Sequence, residues 1–255
     1  MANHATPNGD TTGTKPKLTY DYGVLNKEYA VSLARCAPEE DGPIYMVNLM
    51  KYREVADYEI AGAGDATGRP ISGKDADDKY NPASILNKIG ASIVFVADVV
   101  GNHIGEEDWD RIAIVKYPTR RSFIEMQSRK DFGEKHVHKA AGMLRTVLIG
   151  CVPAHTTFEQ GKDGDVLSMH PMAMIVRRNT DRNTALAQLP HSDALVAEGT
   201  VLSDGRMWDV VQLADVADLN EVPNMARNYS NEPVDSVYVM SVHGRWIDHT
   251  PKGKQ

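Results

Sequence analysis

The chain has 255 residues and 42% apolar content, ordinary for a packed globule and enough for one large domain or two small ones. Its formal net charge of -7, with acidic and basic residues interspersed, excludes the basic footprint of a nucleic-acid binder and a polybasic membrane patch. No apolar run approaches the roughly 20 residues that span a bilayer, and residues 1–17 lack the apolar core of a signal peptide. The expectation is a soluble, cytoplasmic protein whose partner is a small-molecule substrate, with neither nucleic acid nor membrane. Cys36 and Cys151 have no metal-type or redox-type spacing and read as structural thiols.

Taken in chain order, residues 1–17 are polar and predict a flexible arm. Residues 18–42 form an N-terminal helical segment, because Leu25, Tyr29 and Leu33 recur at helical spacing. Ile44–Tyr52 reads as a strand with Met46, Asn48, Met50 and Tyr52 on one face and Tyr45, Val47, Leu49 and Lys51 on the other. Residues 54–79 are glycine-containing and acidic, the pattern of a long binding loop or lid, and lead to a helix beginning near Asn81-Pro82. An apolar run at 94–100, a turn through Gly101 and Gly105, and a second run from Trp109 to Tyr117 predict a hairpin. A helical stretch and a strand at 145–152 complete this half, and 155–165 reads as an exposed link.

The second half repeats the order, with a strand at 172–177, a helix at 180–189, and a hairpin over 194–202 and 208–213. A helical stretch and a strand at 236–242 follow. Trp109-Asp110 and Trp208-Asp209 open the return strand of each hairpin. The expected fold class is therefore α+β: an internal duplication of two tandem ferredoxin-like β-α-β-β-α-β repeats. Their domains span 43–153 and 166–247.

The candidate chemistry is dispersed. Residues 68–75 approach a phosphate-binding loop, but Asp75 stands where a hydroxyl must hold magnesium, so a solvated loop is the better reading. His136 and His138 point about 200° apart on a helix and cannot chelate together. Glu134 and His138 share a face, where the carboxylate can orient the imidazole or simply form a surface pair. Asn48, an amide among methionines, either bonds a neighbouring strand or lines a cavity. Asp98 in an apolar strand is either a buried general base or an edge residue facing water. Tyr80 and His103 are placed to reach a pocket mouth, and Trp109 is either a core plug or a ligand platform.

An ordered set of residues resembles a known family: Ile44–Tyr52, Ser72-Gly73-Lys74 with Tyr80, Gly90-Ala91, Ile104-Gly105, Trp109-Asp110, Tyr117-Pro118-Thr119-Arg120, Phe123, Met126, and His138-Lys139-Ala140-Ala141-Gly142. Over residues 43–153 this is similar to the domain-of-unknown-function family 1330, in the dimeric α/β-barrel (ferredoxin-like) superfamily. The family motif usually reads His-Arg, and Lys139 stands in place of the arginine. The resemblance implies a sheet paired with a second sheet into a barrel, supplied here within one chain, with a pocket between each sheet and its helices. Relatives include cofactor-independent monooxygenases, lactone isomerases, polyketide cyclases and haem enzymes, so fold is constrained better than function.

The leading expectation is a cofactor-independent enzyme, a homodimer, doing acid-base lyase, isomerase or cyclase chemistry on a small apolar carbonyl, epoxide or aromatic compound. Its catalytic candidates are His138, Asn48, Asp98 and Tyr80, and its substrate-binding candidates are Met46, Met50, His103, Trp109 and Tyr117. No metal is expected. The alternatives are a haem protein with His138, His170 or His243 as axial ligand, and a non-catalytic binding or scaffold module.

Overall fold

The structure, a computed structural model, describes residues 21–62, 69–155, 158 and 169–247. The first half carries β1 (Val24–Leu25), α1 (Lys27–Ala34), β2 (Ile44–Tyr52), α2 (Gly73–Tyr80), α3 (Ala83–Lys88), β3 (Ser92–Ile104), β4 (Arg111–Tyr117), α4 (Arg120–Gln127), α5 (Lys130–Gly142) and β5 (Met143–Pro153). The second carries β6 (His170–Arg177), α6 (Arg182–Gln188), β7 (Asp193–Ser203), β8 (Val210–Asp215), α7 (Val222–Ala226) and β9 (Val237–Trp246).

All the strand pairings are antiparallel, and they run β7-β5-β2-β4-β3-β9-β6-β8 before β8 returns to β7, closing a barrel of 8 strands. The short β1 pairs with the far end of β7. This overturns the expected pair of tandem ferredoxin-like repeats and the internal duplication read from the two Trp-Asp pairs. As two self-standing domains over 43–153 and 166–247, such repeats would each keep a sheet and a core of its own. Here β3 pairs with β9 and β5 with β7, so every edge of one half is taken by the other. One interior results, filled from both halves by Tyr45, Val47, Leu49, Phe95, Ile112, Ile114, Met174, Leu213, Met240 and Val242.

The Trp-Asp pairs have a local explanation in this barrel. Trp109 and Trp208 are both buried against Tyr238, with ring centroids 5.6 and 4.6 Å away. The backbone N–H of Asp110 donates to Met50 O (2.9 Å) and that of Asp209 to Arg177 O (2.8 Å), which ties each return strand to its neighbour.

Period-two alternation sets what faces outward. Met46 and Met50 of β2 leave the barrel and meet the helices, where Met46 packs in a layer with Tyr80, Leu86, Phe123, Met126 and Phe132. On the other half, α7 covers Ala173, Ile175, Val237 and Val239 through Val222 and Ala226. No helix among the described residues is long and apolar enough to cross a membrane.

Two local readings change. Part of the expected loop at 54–79 is the helix α2, started by Ser72, whose Oγ accepts from Asp75 N at 3.0 Å. Gly101 and His103 belong to β3 rather than to a turn, because β9 pairs with this stretch across register shifts. The 1–17 arm lies outside the described residues, as does the 155–165 link apart from His155 and Phe158.

Candidate active site

Between the outer face of β2, β4 and β5 and the helices α2, α4 and α5 lies a cavity of about 410 Å³. Its floor is Met46, Asn48, Met50, Ala113, Val115 and Leu148, and its roof includes Tyr80, Phe123, Met126 and Phe132. Asn48 sits opposite Ala113 on one side and Leu148 on the other. The small Ala113 side chain leaves room above the centre of the sheet, while longer residues close the ends.

Asn48 is 7% exposed. Its Nδ2 donates to Met46 O at 3.1 Å and reaches Ala113 O at 3.5 Å, so the amide nitrogen is held by the sheet. Its Oδ1 accepts from Lys139 Nζ at 3.3 Å. Asn48 therefore does both things its sequence context allowed: it bonds the strands and it lines the cavity.

Lys139 enters from the last turn of α5, with its ammonium 5.6 Å from the centre of the Tyr80 ring. Burial holds this amine below the usual lysine range, opposed in part by the attraction of Asp77. One turn earlier, His136 is 5% exposed and shares a 2.9 Å hydrogen bond between its Nε2 and the Tyr22 hydroxyl. Burial, and then the charge of Lys139, push the imidazole down to about 4, so it is neutral at pH 7.

The charged rim is already paired. Arg111 donates from Nη1 to Asp78 Oδ1 (2.8 Å) and from Nε to Asp98 Oδ1 (3.2 Å). Asp77 accepts from the Tyr52 hydroxyl at 2.7 Å. These groups close one side of the cavity around a largely apolar interior.

Of the predicted site residues, Asn48, Tyr80, Met46, Met50 and Tyr117 line this cavity. His138, Asp98, His103 and Trp109 do not. His138 Nδ1 shares a 2.9 Å hydrogen bond with the Tyr58 hydroxyl, and Glu134 pairs with Lys130 at 3.7 Å. Asp98 meets Arg111 and Lys74, and its side chain is 44% exposed. His103 Nε2 bonds Ser241 Oγ at 2.6 Å, and Trp109 fills the barrel end.

Lys139, His136, Tyr22, Asp77 and Arg111 were absent from the sequence-derived set. A signal for two of them existed: Phe132, His136 and Lys139 follow i, i+4, i+7 spacing and so share one face of α5. Tyr22, Asp77 and Arg111 arrive from separate elements and had none.

The residues do not fit a haem in this cavity. His138, His170 and His243 are not in its wall, and the Nε2 of the one imidazole that is, His136, is engaged by Tyr22. Among the described residues no group of three or more His, Cys, Asp or Glu is arranged to hold a metal ion.

No protein-family model and no curated protein matches the chain. Similar solved structures include the methylated RPA0582 protein, at 26% identity and a TM-score of 0.44, covering 53% of this chain and 98% of that one. A second structure of RPA0582, described as a protein of unknown function from Rhodopseudomonas palustris, has 26% identity and a TM-score of 0.40, covering 50% of this chain and 92% of that one. A third is titled "putative monooxygenase from Lactobacillus acidophilus NCFM", with 12% identity and a TM-score of 0.34, covering 80% of this chain and 94% of that one.

Proposed function

We propose that this chain is a cofactor-independent enzyme performing acid-base chemistry, of the lyase, isomerase or cyclase kind, on a small and mostly apolar carbonyl, epoxide or aromatic compound. Membership of the domain-of-unknown-function family 1330, carried by residues from Ile44 to Gly142, belongs to the same reading. The observation that carries it is the contact between Lys139 and Asn48 on the floor of an otherwise apolar cavity. Burial lowers the pKa of this amine and so raises the share of its uncharged, basic form above that of an exposed lysine. The apolar walls exclude bulk water and bind the body of the compound, while Tyr80 stands beside the amine as a hydroxyl-bearing ring.

The test is exchange of carbon-bound hydrogen next to a carbonyl. Small ketones such as cyclohexanone and phenylacetone, incubated with the protein in deuterium oxide, are expected to lose their α-proton NMR signals faster than in buffer. Lys139→Met is expected to reduce the excess rate by at least about a hundredfold, the scale of a general base. Exchange equal in wild type and Lys139→Met would remove the enzyme reading and leave a binding module.

A further inference from the structure

We propose that Lys139 is a covalent nucleophile, its Nζ condensing with the carbonyl carbon of an aldehyde or ketone seated in the cavity. The inference rests on the acid-base reading above and narrows its substrate class to aldehydes and ketones, excluding epoxides and simple aromatics.

Three observations lead to it. Lys139 is the sole lysine among the described residues lining the cavity. Lys51, Lys74, Lys88 and Lys130 each lie within salt-bridge distance of a carboxylate, whereas Lys139 Nζ donates to the neutral Asn48 amide. An amine that gives one N–H to an amide oxygen keeps its lone pair for an electrophile, and a carboxylate would instead hold it as ammonium. The apolar methionine and aliphatic walls favour the uncharged form, against the modest pull of the Tyr80 ring face on a cation. Burial shifts the amine in the same direction, and Asp77 only partly opposes it. An uncharged lysine amine is a nucleophile toward carbonyl carbon as well as a base, so this setting allows covalent capture besides proton abstraction.

The step balances without an added cofactor. The Nζ lone pair forms the N–C bond while the C=O π pair moves to oxygen. That oxygen takes one proton from the attacking nitrogen and a second from water at the cavity mouth. The C–O bond then breaks, water leaves, and a protonated imine joins Lys139 to the former carbonyl carbon. Its positive nitrogen withdraws electrons from the neighbouring C–H or C–C bond, the activation that lyase and isomerase steps need.

The full-length wild-type protein, incubated at neutral pH with equimolar benzaldehyde and sodium cyanoborohydride, tests this directly. Hydride reduces any imine to a stable benzylamine, located by intact mass and peptide mapping. Lys139 is expected to be modified at least about tenfold faster than any other lysine, because burial favours its neutral form and the cavity holds the aldehyde beside it. Lys139→Arg, which keeps a long nitrogen-bearing side chain without a nucleophilic amine, is expected to abolish the adduct. Modification spread over surface lysines, with Lys139 no faster, overturns the proposal. If Lys139-dependent deuterium exchange persists in that case, the acid-base reading stands and only covalent capture fails. If exchange is also absent, both fall. The wild-type readout does not depend on whether any variant folds.

Discussion

Lys139 Nζ and Asn48 Oδ1 stand 3.3 Å apart, one carried by the last turn of α5 and the other by the middle of β2. The amide cannot turn to offer its nitrogen instead, because Nδ2 is committed to Met46 O. A strand-bound amide thus presents a fixed acceptor to a buried amine, and this pairing sets the chemistry of the cavity.

Replacing Asn48 by Asp puts a carboxylate where the neutral acceptor was. The opposite charge favours ammonium, so the Lys139 pKa rises and reductive benzylation at neutral pH falls by at least about tenfold. The pH dependence of benzylation is the measurement, and its midpoint is expected to move upward. Asp77 and Asp78 from α2, Arg111 from β4, Arg245 from β9 and His136 from α5 also line the cavity and remain unchanged in this comparison.

His136 makes stability depend on pH in a defined window. Its folded pKa of about 4 lies below the ordinary value of 6.5. The unfolded chain therefore binds the proton more readily, and the contribution is complete above pH 6.5 and lost as pH falls toward 4. The loss is on the order of 3 kcal/mol at most. Urea unfolding of wild type and His136→Gln across this range checks it: the variant is expected to lose less stability on acidification.

Gly73 and Gly142 bring α2 and the end of α5 into backbone contact. Arg53 N donates to Gly142 O at 2.9 Å, and Gly73 N to Arg53 O at 3.0 Å. A methyl group on Gly142 would meet the Gly73 carbonyl oxygen inside contact distance, with the Ala76 Cβ at 3.2 Å. Gly142→Ala is expected to destabilise the protein by about 1 to 3 kcal/mol. It is also expected to slow benzylation of Lys139, because the last turn of α5 must move. Thermal unfolding and peptide mapping measure the two effects separately.

Asp98 and Arg111 distinguish rim from floor. Asp98→Asn removes one of the carboxylates around Arg111 at a half-exposed position, so the expected stability cost stays below about 1 kcal/mol. Ketone exchange is expected to continue at the wild-type rate, whereas a general base at Asp98 would make it fall about a hundredfold or more. Arg111→Met leaves Asp77, Asp78 and Asp98 facing one another and is expected to cost more than Asp98→Asn. Parallel urea titrations of the two variants provide the comparison.

Local order was legible from the residues themselves. The alternation in Ile44–Tyr52 separates Tyr45, Val47 and Leu49, inside the barrel, from Met46, Asn48 and Met50, on the cavity side, because successive side chains on a strand must point oppositely. The same rule made Asn48 conspicuous. His138 was singled out for its face shared with Glu134, yet the face of α5 that meets the sheet is that of Phe132, His136 and Lys139. Helical spacing defines which residues travel together, but which stripe is buried depends on what packs against the helix.

Strand faces, helix stripes and the methionine-rich face around Asn48 were readable from the residues alone, since these follow from backbone periodicity over a few residues. Which strands join the two halves, and so the closure of 8 strands around one interior, was set in three dimensions, because β3–β9 and β5–β7 pairing joins segments far apart in the chain. The tertiary structure alone also decided that Tyr22, Asp77, Arg111 and Lys139 share a cavity. Burial, which moves the amine of Lys139 and the imidazole of His136 from their ordinary pKa values, is a property of that assembly and of no local stretch of residues.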